Sequence, residues 1–171
     1  MVFFRFAPQL KPALALVAAL GIAGCSSKPN ADDGAGGGLG GVGAGVASPG
    51  SAQDFVVNVG DKIFFESDST ELTANAQATL EKQARWLNQY GRYNFTVEGH
   101  ADERGTREYN FALGARRSEV TKEYLAARGV NAARIKTISY GKERPVAVCN
   151  DISCWSQNRR AVTVLNAAGT S

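Results

Sequence analysis

Histidine occurs once in this chain of 171 residues, at position 100, and methionine once, at position 1. A lone imidazole cannot form a histidine metal cluster, and three cysteines with no second close pair do not make a zinc site, so no metal centre is expected. Neither sign of charge dominates. Lysine and arginine total 19 against 16 acidic residues, a formal charge of +3. Two of the basic residues, Arg5 and Lys11, lie at the extreme N-terminus; without them 17 basic residues face 16 acidic ones. That balance gives no nucleic-acid footprint. No apolar run reaches the roughly 20 residues of a membrane-spanning helix. No internal repeat is evident, and no nucleophile with a partner base stands out.

The N-terminal 24 residues read as a processing signal rather than a domain. Positive charge at Arg5 and Lys11 precedes a short apolar run from Ala13 to Gly24. The run ends in Ile22, Ala23, Gly24 and Cys25, which resembles the bacterial lipobox, where a cysteine becomes the lipidated first residue. An ordinary secretory signal with a chance cysteine is the alternative. Each buried CH₂ of an acyl anchor adds about 0.8 kcal/mol of membrane affinity. Ser26 and Ser27 follow, where the inner-membrane retention signal of many lipoproteins has aspartate. The expected location is therefore the outer membrane, lipid-anchored, with the rest of the chain in the periplasm. Residues 25–52 form the anchor and a Gly-, Ala- and Ser-rich segment. It is too poor in apolar surface to offset its ordering entropy, and should act as a flexible tether. A tether of about 25 residues reaches roughly 25–30 Å.

With Cys25 lipidated, Cys149 and Cys154 remain, and an oxidising compartment predicts a disulfide between them. Residues 53–171 suffice for one domain. Lys62–Glu66, Tyr93–Val97, Ile135–Tyr140 and Ala161–Leu165 read as strands. Phe55–Val59 reads as a further edge strand. Leu72–Tyr90 reads as a helix capped by Thr73 and stopped at Gly91, and Thr106–Arg128 as a second, capped by Thr106 and ended by Gly129. The order predicts an α/β (α+β) sandwich, two main helices on a mixed four-stranded sheet.

Chemistry concentrates between Val97 and Val120. Asp102 lies in a polar loop before the second helix. Asn110 and Arg117, seven residues apart, share a helix face with Leu113, Val120 and Tyr124. An arginine inside an apolar stripe needs a partner, because an unpaired buried guanidinium is very unfavourable. A ligand with both an ammonium and a carboxylate would satisfy Asp102 and Arg117 together. Arg116 points about 100° away, towards solvent.

The segments Glu98 to Thr106 (EGHADERGT), Tyr109 with Asn110, Leu113 to Arg117 (LGARR), Ser139 to Glu143 (SYGKE) and Asn158 to Val162 (NRRAV) resemble the OmpA-like peptidoglycan-binding domain family, and most closely its lipid-anchored Gram-negative members. They occur in the family's order and spacing, over roughly Phe55 to Leu165. The resemblance implies noncovalent binding of the diaminopimelate residue of the peptidoglycan peptide stem. It implies no cofactor and no enzymatic activity. It also implies a role in the Tol–Pal system of envelope integrity and cell division, with the Tol system's periplasmic propeller protein as a competing partner.

Asp102 and Arg117 fall at the family's two diaminopimelate-binding positions. A guanidinium grips a carboxylate through two parallel hydrogen bonds, which lysine cannot copy. A structural salt bridge of Arg117 with Asp102 or Glu98 is the competing reading. Asn110 would bond the stem or fix the Asp102 loop to the helix. Thr106 shapes that loop. Asp68 matches the acidic end of the family's first strand, or simply opens the first helix; Ser67 stands where the family often has an aromatic. Arg160 and its neighbours Asn158 and Arg159 would border the pocket or serve as edge-strand charges. His100 could be a hydrogen-bonded core residue, or the acid–base partner of Asp102 or Glu103 in a cell-wall hydrolase. Trp86 and Trp155 read as packing residues.

Overall fold

The computed structural model describes residues 47–166. The expected signal segment, Cys25 and nearly all of the tether lie outside the described residues. Elements follow as α1 (Ala52–Asp54), running into a π-helical turn (Phe55–Val59), then β1 (Lys62–Phe64), α2 (Ala74–Gln89), β2 (Phe95–His100), α3 (Arg107–Ala127), a 3-10 turn (Ala132–Arg134), β3 (Ile135–Gly141), α4 (Ile152–Asn158) and β4 (Arg160–Leu165). The sheet order is β1-β4-β2-β3, with β4 antiparallel to both neighbours and β2 parallel to β3. The two long helices contact each other and the sheet, which is the expected sandwich. The core between them holds Ile63, Leu80, Leu87, Phe95, Val97, Leu125, Ile135 and Ala161. Among the described residues no helix is long and apolar enough to cross a membrane.

Helix starts follow the side chains that can satisfy free backbone donors. Thr73 Oγ1 accepts from Ala76 N at 3.2 Å, and Thr106 Oγ1 from Tyr109 N at 3.2 Å. Asp151 Oδ1 accepts from Ser153 N at 2.6 Å and starts α4, a seven-residue helix where the sequence pattern suggested only loop. Cys149 and Cys154 are disulfide-bonded, their Cα atoms 5.7 Å apart, and tie the preceding loop to this helix.

Phe55–Val59 is helical, not an edge strand. The reason lies in Asp54. Its carboxylate accepts from Gly50 N, Asn58 Nδ2 and Trp86 Nε1, each at 2.8 Å, and these bonds hold the turn closed. Phe55 is then fully buried, its ring 4.9 Å from that of Trp86, while Val56 and Val57 face outward. Tyr93 Oη also donates to Gly50 O at 2.8 Å, which ties Gly50 to the domain.

α3 buries an unusual stripe: Asn110, Leu113, Gly114, Arg117, Ser118, Thr121 and Leu125, with Val120 and Tyr124 only partly covered. It is largely polar or small because the helix lies very close to the sheet. A Cβ on Gly99 would sit 1.8 Å from the Gly114 carbonyl oxygen, and one on Gly114 would sit 2.5 Å from Ser139 Oγ. This glycine-to-glycine contact brings the turn that carries Arg117 against the end of β2. Backbone cannot yield as a flexible side chain does, so Gly99→Ala should destabilise the domain by about 3 kcal/mol or more. A Cβ on Gly91 meets nothing within 4 Å, and Gly91→Ala should change stability by under about 0.5 kcal/mol. Urea unfolding midpoints of the two variants check the contrast.

Candidate functional site

The end of β2, the loop after β1 and the first half of α3 enclose a pocket of about 230 Å³, lined by Ser67, Asp68, Asp102, Arg104, Tyr109, Asn110 and Arg117 among others. Four of the six expected ligand-binding residues are therefore in one place: Asp68, Asp102, Asn110 and Arg117. Thr106 is adjacent, as the helix cap. Arg160 is not among the lining residues.

Arg117 is fully buried. Its Nε donates to Ser69 O at 2.9 Å, Nη1 to His100 O at 2.8 Å and Nη2 to Glu66 O at 3.1 Å. Neither alternative ion pair forms: Asp102 bonds other arginines, and Glu98 lies 3.6 Å from His100 Nε2. Carbonyls of the β1–α2 loop and of the β2 end thus hold the guanidinium. Burial lowers its pKa to about 10, with the Arg159 charge adding to the effect, so it stays cationic at neutral pH. Three of its five N–H donors are used by backbone oxygens.

Asp102 is buried at the other side of the charge pattern. Its Oδ1 accepts from Arg104 N at 3.2 Å and Nε at 3.0 Å; its Oδ2 accepts from Arg104 Nη2 at 2.6 Å and Arg159 Nη1 at 3.4 Å. Burial pushes the carboxyl up, but the Arg104 bonds and charge, with Arg159, outweigh it and hold the group below the usual carboxylate range. Asn110 Nδ2 donates to Arg104 O at 2.7 Å and Thr106 O at 3.1 Å, tying the Asp102 loop to α3. Gly105, at φ +83°, makes that tight loop possible. Asp68 is the one described non-glycine residue with positive φ, at +53°, and it accepts a hydrogen bond from Tyr109 Oη. The loop carbonyls on either side of it, Glu66 and Ser69, are those held by Arg117.

Two of these contacts were not foreseen. Arg104 sits in the quoted motif without being singled out, and Arg159, rather than Arg160, reaches Asp102. Arg159 lies just before β4 in a backbone bond with Phe65, and neighbouring side chains of extended chain leave opposite faces, so only one of the two arginines faces Asp102. Arg160 Nη2 instead donates to Arg144 O at 3.1 Å. Arg116 is exposed, as expected.

A larger groove of about 680 Å³ lies beside α3, lined by Arg107, Glu108, Phe111, Tyr140 and Glu143 among others. Its Arg107 and Glu143 pair at 3.0 Å, which leaves Glu108 as the uncompensated charge among its lining side chains, an anion with no cation beside it to select a zwitterion. The smaller pocket is the more specific chemically. Among the described residues no group of three or more candidate ligands could hold a metal ion.

His100 is buried, its ring stacked 5.6 Å from Tyr140, and neither ring nitrogen has a hydrogen-bond partner. It does not line the pocket and bonds neither Asp102 nor Glu103, so the acid–base arrangement of a hydrolase is not assembled. Burial, then the Arg160 and Arg144 charges, lower its pKa to about 4. The ordinary value of about 6.5 applies in the unfolded chain. The unfolded state therefore takes up the proton first as pH falls, and stability should decline below about pH 6.5 until the folded-state pKa is passed. Urea midpoints at pH 7 and pH 5 should differ in the parent chain, and the difference should shrink in His100→Gln.

A match to the OmpA family model spans residues 64–160. The peptidoglycan-associated lipoprotein of Rhizobium meliloti (strain 1021) is 66% identical over 158 residues, covering 92% of this chain and 88% of that protein. The protein of the same name from Pseudomonas aeruginosa is 41% identical, covering 86% and 91%. The crystal structure of the peptidoglycan-associated lipoprotein from Burkholderia pseudomallei superposes with a TM-score of 0.60 at 39% identity, covering 62% of this chain and 90% of that one. With a family match over more than half its length and relatives this similar, the chain belongs to the OmpA family, among its peptidoglycan-associated lipoproteins.

Proposed function

We propose that the 230 Å³ pocket binds peptidoglycan noncovalently, through the diaminopimelate head group of the peptide stem. One observation carries the reading: a buried carboxylate and a buried guanidinium, Asp102 and Arg117, line the same small pocket without bonding each other. A ligand bearing both an ammonium and a carboxylate complements that pair. Asp68 and Asn110 supply further polar groups at the wall, and Thr106 shapes the loop. The names of the relatives support the same substrate class. The chain acts as a binding module and not an enzyme; the pocket carboxylates are held by other side chains, Asp102 by Arg104 and Arg159 and Asp68 by Tyr109, and His100 lies outside the pocket.

In this reading residues 1–24 are the signal, Cys25 carries the lipid in the outer membrane, and the following Gly-rich segment lets the periplasmic domain reach the wall. Each contact can be modest in affinity, because many anchored copies on one polymer hold the membrane through multivalency. The Tol system's propeller protein is the second partner, competing for an overlapping surface.

Sedimentation of the chain with isolated peptidoglycan tests the reading. Removing one partner of a desolvated charge contact costs about 2–5 kcal/mol. Asp102→Ala should therefore weaken binding by roughly 30-fold or more with its fold intact by circular dichroism, and Arg117→Lys, which keeps the charge but loses the two-pronged grip, should weaken it less. Unchanged sedimentation of both variants would make the pair purely structural and overturn the proposal.

A further inference from the structure

We propose that Arg104 occupies the ammonium position of this pocket and must be displaced by the cationic end of the ligand. The inference rests on the pocket reading above. A carboxylate offers about four lone-pair sites, and all four of Asp102 are taken. Arg104 N and Nε fill Oδ1, and Arg104 Nη2 and Arg159 Nη1 fill Oδ2. No acceptor site is left for an incoming ammonium until one cation leaves.

The two arginines differ in their freedom to go. The Arg159 side chain is 6% exposed and its Nε also bonds Phe65 O at 3.0 Å, so it is fixed. The Arg104 side chain is 43% exposed. Its guanidinium lies 4.2 Å from the centre of the Trp155 ring, and Nη2 reaches Ser67 Oγ at 2.8 Å. The guanidinium can slide off Asp102 and still keep the aromatic face, which holds a cation without hydrogen bonds. Trp155 is itself positioned, since its indole N–H donates to the Glu103 carboxylate and its helix is tied by the Cys149–Cys154 disulfide.

Arg104 is in this sense an internal competitor, and a specificity filter. A stem that brings its own ammonium replaces the broken contact. A stem whose amine is blocked does not, and leaves Asp102 on Arg104. Such a competitor lowers apparent affinity by the fraction of time the pocket is open.

The test is calorimetric titration of the full chain with a soluble muropeptide ending in diaminopimelate, and with the same peptide acetylated on its free amine. Arg104→Ala should tighten binding of the free-amine peptide about tenfold, the gain expected where Arg104 is on Asp102 nine-tenths of the time. Arg104→Lys, which lacks the two-pronged grip, should fall between. The acetylated peptide should bind weakly throughout, and Asp102→Asn should abolish binding in both backgrounds. Weaker or unchanged binding by Arg104→Ala, with Asp102→Asn still inactive, would overturn the role of Arg104 and leave the pocket reading standing. Full binding by Asp102→Asn would overturn both. Circular dichroism establishes that each variant is folded.

Discussion

A buried guanidinium held by three backbone carbonyls organises this domain. Arg117 leaves α3 and reaches Glu66 and Ser69 in the loop after β1 and His100 at the end of β2. Those segments are distant in sequence, and the one side chain bonds all of them. The arginine can reach them because Gly99 and Gly114 let α3 approach the sheet more closely than any residue with a Cβ would permit. The backbone turn at Asp68, with its positive φ, lies between two of the carbonyls that Arg117 holds. Such a conformation persists where the surroundings over-determine it, and such positions cluster at ligand clamps.

The electrostatics follow from that arrangement. Carbonyl dipoles stabilise the Arg117 charge without neutralising it, so the pocket keeps a formal cation. Asp102 is neutralised instead by Arg104 and Arg159. One side of the pocket is thus a cation satisfied by dipoles, and the other an anion paired with one exposed and one buried arginine. An apolar or singly charged ligand offers a direct partner to at most one of these two charges. A zwitterionic head group satisfies both, which is why substrate class can be argued from two residues and their partners.

Much of this was legible in the sequence because it follows from periodicity and capping. Thr73 and Thr106 marked the helix starts, and the seven-residue spacing of Asn110 and Arg117 put both on the face that packs inward. The four strands were found, although β2 runs on to His100, beyond the expected Val97, since β4 pairs with it to Gly99 and β3 to His100. Other features left no local signal. Backbone carbonyls have no residue type, so the partners of Arg117 could not be read from side chains. Val56 and Val57 beside Phe55 fit a strand as well as a helical turn, and the deciding group, Trp86 on the Asp54 carboxylate, is 32 residues away. The choice of Arg159 over Arg160 at Asp102 depended on one residue of strand register.

The central claim is that a zwitterionic head group enters between Asp102 and Arg117. A titration of the ¹⁵N-labelled chain with diaminopimelate, followed by NMR, tests it most directly. Saturable shifts centred on the amides of Asp68, Asp102 and Asn110 and on the Nε–H of Arg117 are the expected result. Shifts confined to the larger groove at Phe111, Tyr140 and Glu143, or none at saturating ligand, would contradict it.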